Sequence, residues 1–308
     1  MKILGIGNAI VDVICKVEES FLINNELVKS TMKLVDEFEF KKLLSNLKIE
    51  ETISGGSVAN SIVGLSQLGN KVGFIGKVND DDLGLKYENG LKKENVEYIY
   101  SKKKENLPTG TCLILITPDS ERTMCTFLGT AGKINEDDVN VEAVKKSDVI
   151  FLEGYLWDEG EPRKAFDKAM NNASKVAMSL SDSFCVERHK SHFLGLVKNK
   201  LSVIFANEQE ITSLIDAKNF NDVTEFAKIL NKLVVITRGE KGAIAIQSSK
   251  VFECKAQENL NIVDLTGAGD LFAAGFLHGL VNNKNVKECL EKGTELSSKV
   301  IQQIGARL

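Results

Sequence analysis

Proline is nearly absent, at three residues in 308, and no repeat or low-complexity stretch is present to act as a linker. An independent second domain is therefore not expected. The cysteines, at 15, 112, 125, 185, 254 and 289, form neither a CxxC pair nor a cluster with histidine, which argues against a zinc site and a disulfide framework. They read as six reduced, mostly buried thiols. Three histidines, His189, His192 and His278, are too few and too poorly spaced for a metal triad, and HKSH at 189–192 reads as a solvated helix face. There is no G-x-S-x-G elbow, which disfavours a serine hydrolase. No apolar run approaches the roughly eighteen residues of a membrane helix. The opening MKILGIGNAIVDVI is broken by Gly5, Gly7, Asn8 and Asp12, so it reads as a first strand and not as a leader. A cytoplasmic protein with no membrane partner is expected. Excess positive charge is missing too: 39 basic residues face 43 acidic ones, net −4, and 34 of the 39 are lysine. No basic footprint for nucleic acid results.

What is present is an alternating core. Apolar runs at 3–6, 72–75, 148–152, 176–180, 202–205 and 233–237 are each about one buried strand long. Helical spacing lies between them, as at 58, 62, 65 and 68, and across 165–173, 211–215 and 223–230. This rhythm predicts a single α/β domain over 1–308 around a doubly wound, mostly parallel sheet. Two stretches depart from it, 9–36 and 96–130. In the second, VEYIYSK and TCLILITPDSERTMCTFLG read as antiparallel strands. Together the two are expected to form one small β lid above the carboxyl edge of the main sheet, where open α/β folds bind ligands.

Two glycine motifs fail on inspection. GIGNAI at 5–10 has Ile10 where a dinucleotide fingerprint needs Gly or Ala, and GTAGKI at 129–134 lacks both the first Walker glycine and the magnesium-binding hydroxyl. A third survives. Asp264-Leu-Thr-Gly-Ala-Gly-Asp270 runs directly into LFAAGFLHGL, a buried helix, so the amides of Gly267, Ala268 and Gly269 are placed where a helix N-terminus attracts phosphate oxygens. Ser54-Gly-Gly-Ser-Val-Ala-Asn60 enters another helix, Asn207-Glu-Gln-Glu210 starts a third, and Thr237-Arg-Gly-Glu-Lys-Gly242 leaves a strand.

In this order and over nearly the whole chain, these motifs resemble the ribokinase or PfkB carbohydrate kinase family. GNAIVD, GGSVANS, EGYLW and RTM look most like its adenosine-kinase-type nucleoside kinases. The resemblance implies a ribokinase-like fold and transfer of the ATP γ-phosphoryl group to a primary hydroxyl. A purine nucleoside such as adenosine is the favoured acceptor; ribose, fructose or a derivative is the alternative. From another class comes a non-catalytic nucleoside- or sugar-binding regulator.

The resemblance makes Asp270 the catalytic base, with Gly267, Ala268 and Gly269 as the anion hole. It assigns Asn8, Asp12, Gly55, Gly56 and Asn60 to the acceptor, and Arg122 to a lid arginine reaching over the phosphates. Asn207, Glu210, Thr237, Gly239 and Gly242 fall to the nucleotide, with Glu210 organising Mg²⁺ through water. A monovalent cation beside Asp264 is also possible in the family. Tyr155, Trp157, Phe127 and Phe184 are candidates for a flat wall against a base, or for ordinary core. Monomer and homodimer both stay open.

Overall fold

The computed structural model describes residues 1–119, 121–157 and 160–308, and among these the strands fall into two sheets. The large sheet runs in the order β14 (Lys250–Cys254), β13 (Ala243–Gln247), β12 (Leu233–Thr237), β11 (Val203–Asn207), β10 (Val176–Ser179), β9 (Val149–Glu153), β1 (Ile3–Ile6), β5 (Val72–Ile75) and β6 (Glu97–Tyr98). Strands β12 through β6 pair in parallel, and the hairpin β13–β14 closes one edge antiparallel. The six apolar runs of the sequence are six of the parallel strands.

Each is buried on both faces because helices cover both sides, which is why these runs do not alternate with polar residues. In β1, Ile3 joins one core with Val58, Ile62 and Leu271, while Leu4 and Ile6 join the other with Phe166 and Val186.

The small sheet has the order β3 (Met32–Leu34), β8 (Arg122–Phe127), β7 (Gly110–Ile116), β2 (Ile10–Lys16) and β4 (Ile49–Ser54). Its outer face, including Val13, Leu113, Leu115, Cys125 and Phe127, packs on Leu22, Phe40 and Leu43 from two short helices. The register aligns the other face in rows: Asp12 beside Cys112 and Thr126, Ile14 beside Ile114 and Met124, and Ile116 beside Arg122.

Several expectations need amendment. Residues 97–98 of VEYIYSK do not join the small sheet; they extend the large one in parallel, where the Tyr98 hydroxyl donates to the Gly76 carbonyl at 2.7 Å and the ring packs on Tyr87. Stretch 9–36 includes the helix Glu19–Asn24 as well as strands. The small sheet also recruits β4 from outside both stretches; its first residues are exposed, so no apolar signal marks it. HKSH is not wholly solvated: His189 is buried against Phe193, on the inner side of the helix Ser183–Asn199. All six cysteines are free thiols and five are buried. Among the described residues no helix is long and apolar enough to cross a membrane.

Candidate active site

The helix Ala268–Val281 is apolar on nearly every side because it is packed between the helices Ser57–Gln67 and Val286–Val300. Its polar start is therefore confined to one end, and Gly267, in the left-handed conformation at φ 78°, turns the chain into it. Asp270 stands in the first turn. Ser57 Oγ donates to its Oδ1 at 2.6 Å, Asn60 Nδ2 donates to its Oδ2 at 3.0 Å, and Ser61 Oγ donates to its backbone carbonyl at 2.8 Å. Thus the two glycine motifs meet, and both carboxylate oxygens are oriented. Burial pushes the Asp270 carboxyl up to about 6, against the pull of the Ser57 and Asn60 hydrogen bonds and of the Arg307 charge.

Asp12 arrives from the small sheet. Its carboxylate lies so close over Gly55 that a Cβ there would overlap it, which explains the first glycine of the pair. Gly56, at φ 97°, makes a similarly close pass over the Asn8 carbonyl. Burial raises the Asp12 carboxyl to about 7; Arg307 and Arg122 oppose that shift and Asp270 adds to it. Asn8 is turned inward, donating from Nδ2 to Glu153 Oε1 at 2.9 Å and leaving its Oδ1 buried without a partner. Glu153 also accepts the Val58 amide at 3.0 Å, and burial pushes its carboxyl up to about 7.

The turn beside Asp270 differs in one respect from the expected set of three amides. The Ala268 amide donates to the Leu265 carbonyl at 3.2 Å, which completes the turn and removes that donor from an anion. Open space lies where a Gly269 side chain would project. Past Gly269 a groove of about 1020 Å³ continues along Thr237, Gly239 and Gly242. Gly242 has a further reason to be glycine: a Cβ at its φ of 87° would overlap the Cys254 carbonyl of β14.

Asn207 and Glu210 begin the next helix beside Thr237, with which Asn207 is in register. They form a reciprocal cap. Asn207 Oδ1 accepts the Glu210 amide at 2.8 Å, while Glu210 accepts the Asn207 amide at 3.1 Å and its Nδ2 at 2.6 Å. Burial raises the Glu210 carboxyl to about 7. The described residues contain no cluster of three or more His, Cys, Asp or Glu suited to direct metal ligation. Asn207 and Glu210 suit Mg²⁺ as partners of its bound water, since the ion retains much of its hydration shell.

A monovalent cation on Asp264 fits less well. Its Oδ1 accepts the Thr266 amide at 3.0 Å and hydroxyl at 2.7 Å, while its Oδ2 accepts the Gly305 amide and the Arg122 Nη2, both at 2.8 Å. Four donors fill the roughly four lone-pair positions of a carboxylate. Arg122, expected over the phosphates, is thereby tied to the loop preceding them.

The aromatic candidates separate. Trp157 packs on Phe166 and Phe193 and Phe127 on Phe40, both as core, while Phe184 is exposed. The Tyr155 hydroxyl donates to the Ser181 carbonyl.

A sequence profile of the pfkB family carbohydrate kinases matches residues 3–308. The chain belongs to this family. The kinase is 35% identical to an adenosine kinase from Sinorhizobium meliloti of known structure, with a TM-score of 0.93 and coverage of 100% of this chain and 95% of the other. A probable sugar kinase from Rhizobium etli shows 34% identity, a TM-score of 0.91 and coverage of 99% and 94%. Adenosine kinase 2 of Arabidopsis thaliana is 26% identical over 98% of this chain and 94% of its own. The protein is thus an ATP-dependent kinase of a hydroxyl group on a nucleoside or sugar, with a ribokinase-like fold.

Three side chains of the candidate site carry no individual mark in the sequence. Ser57 and Glu153 lie inside quoted motifs, GGSVANS and EGYLW, but nothing in those motifs says which side chains turn inward. Arg307, thirty-seven residues past the GAGD motif and one of only five arginines, has no local signal at all.

Proposed function

We propose that the kinase phosphorylates the primary hydroxyl of a purine nucleoside, adenosine being favoured. The observation that carries this is the inner face of the small sheet. Arg122 on that face reaches the loop before Gly267, so the face looks onto the phosphate turn, and Asp12 shares it with Ile14, Ile114, Ile116 and Met124. Two vicinal hydroxyls are matched by one carboxylate. The aliphatic and thioether strip has no use for a free sugar but suits the flat apolar face of a base. The similarity to the Sinorhizobium meliloti adenosine kinase supports the same choice.

In this reading Asp12 and the unpaired Oδ1 of Asn8 hold the ribose, with Gly55 and Gly56 admitting it. Asn60 serves Asp270 directly. As the acceptor oxygen forms its bond to the γ-phosphorus, its proton passes to Asp270 and the bond from phosphorus to the bridging oxygen of ADP breaks. The amides of Gly267 and Gly269, at the positive end of a helix, steady the charge on the transferring group. Thr237, Gly239 and Gly242 border the groove for ATP, and bound Mg²⁺ would supply charge neutralisation on the phosphates.

The test is ATP consumption against nucleosides and against pentose and hexose sugars. Adenosine or another purine nucleoside is expected to give the highest kcat/KM. Turnover with free sugars alone overturns the nucleoside reading and leaves the kinase standing.

A further inference from the structure

Arg307 belongs to the segment 301–308, which folds back over the phosphate turn. Within it the Gly305 amide donates to Asp264, and Ala306 sits so close to Gly267 that a Cβ on that glycine would come within 2.6 Å of the Ala306 Cα. The segment therefore delivers one long cationic side chain to the floor of the acceptor site. There, Arg307 Nε donates to Asn60 Oδ1 at 3.0 Å, and Asn60 Nδ2 donates in turn to Asp270 Oδ2. A guanidinium can only donate and an ionised carboxylate can only accept. An amide held between them has a single permitted orientation.

The second observation is Arg307 Nη2, which is buried and has no hydrogen-bond partner in the protein. A buried donor left unpaired is costly, and an arginine retained only for packing would have no reason to keep one.

We propose that Arg307 is a positioning residue for phosphoryl transfer: it locks Asn60 onto Asp270, places one positive charge beside the two carboxylates of the site, and offers Nη2 to an acceptor oxygen. The proposal rests on Asp270 being the base. The charged and titratable groups around the pair come from several elements. They are Asp12 on β2, Arg122 on β8, Glu153 on β9, and Tyr87 and Glu94 at the helix Asp82–Lys93. Arg307 draws the carboxyls of both Asp12 and Asp270 downward, against their burial. Its removal shifts both the same way, upward.

The experiment measures kcat/KM for the best acceptor between pH 5.5 and 9 in wild type, R307M, R307K and D270N, with folding checked by circular dichroism. R307M is expected to lose roughly tenfold at pH 8.5, and its acid limb is expected to move up by about one pH unit, which is a further tenfold loss on that limb. R307K restores the position of the limb but not the full rate, because an ammonium lacks the planar fork that holds the amide. A loss equal at every pH, with the limb unmoved, overturns the proposal by showing a merely structural role; so does a wild-type profile in R307M. If R307M does not fold, R307Q takes its place in the same series. If neither folds, R307K decides: a full wild-type rate, or a loss carried by acceptor KM alone, overturns the proposal, and a lowered kcat supports it. D270N separates the two levels of inference. An inactive D270N with an unmoved R307M limb removes only Arg307, whereas an active D270N removes the base itself.

Discussion

Arg122, on a strand of the small sheet, makes a 2.8 Å ion pair with Asp264, in the loop that leads into the phosphate turn, and both side chains are largely buried. The same carboxylate holds Thr266 and Gly305, so one residue ties together the small sheet, the anion turn and the segment that carries Arg307. Removing Asp264 leaves a shielded guanidinium uncompensated, at a cost on the order of 3 kcal/mol. D264A is expected to speed hydrogen exchange in 110–116, 122–127 and 301–308 together. Faster exchange in only one of them would show that the three are not coupled through Asp264.

The occupancy of Asp264 bears on ion dependence. With Arg122 and three other donors already on its oxygens, turnover in tetramethylammonium buffer is expected to match turnover with added potassium within about twofold. A strong activation by potassium, absent with the larger cation, would show that this arrangement opens to admit an ion.

Replacement of Asp270 addresses the proton transfer itself. A positioned general base contributes roughly 10²- to 10⁴-fold, so D270N is expected to lower kcat by about 10³ with acceptor KM changed only a few fold. D12A is expected to do the reverse, raising acceptor KM at least tenfold with a smaller effect on kcat. Steady-state kinetics on both variants checks the division of roles, and exchanged phenotypes would reverse it.

The raised carboxyls set stability against activity. Burial lifts Glu153 and Glu210 to about 7, well above their ordinary range, so between about pH 4.5 and 7 the folded state binds protons that the unfolded state has released. Their contribution to stability is full below the unfolded pKa and is lost as pH rises through the folded one. Asp12 and Asp270 follow the same sign, yet the proposed proton transfer needs Asp270 ionised. The Tm is therefore expected to rise as pH falls from 8 toward 5.5 while kcat/KM declines. E153Q should flatten part of the Tm slope; an unchanged slope would show that Glu153 does not titrate in this window.

The proposed reach of the acceptor into the small sheet is accessible to hydrogen exchange. A nucleoside held by Asp12 and the Ile14–Ile114–Met124 row is expected to protect β2 and β7 together, at lower concentration than free ribose does. Protection confined to one strand would show that the inner face does not act as one lid.

The parallel strands were legible because burial on both faces leaves uninterrupted apolar runs, and the helix at 57–67 because its inward positions recur at helical spacing. β4 and β6 were not, since one is exposed along much of its length and the other is only two residues long and held by its place beside Gly73 and Phe74. In the site, Asp270, Asp12 and the glycines stand in motifs with their chemistry on the surface of the sequence. The pairing of Asn8 with Glu153 and of Asn60 with Arg307 depends on tertiary packing, which no local spacing encodes.

Those pairings also fix when the site can come into being. Asn8 and Glu153 are 145 residues apart, Asn60 and Asp270 210, and Asn60 and Arg307 247. During synthesis Asp12 and Asn60 leave the ribosome early, but Asn60 meets Asp270 and then Arg307 only after more than two hundred further residues have followed. Strands can pair early, but the polar contacts that join Asn60 to Asp270 and Arg307 are long-range closures that come late in folding, after the loops between them have paid their closure entropy.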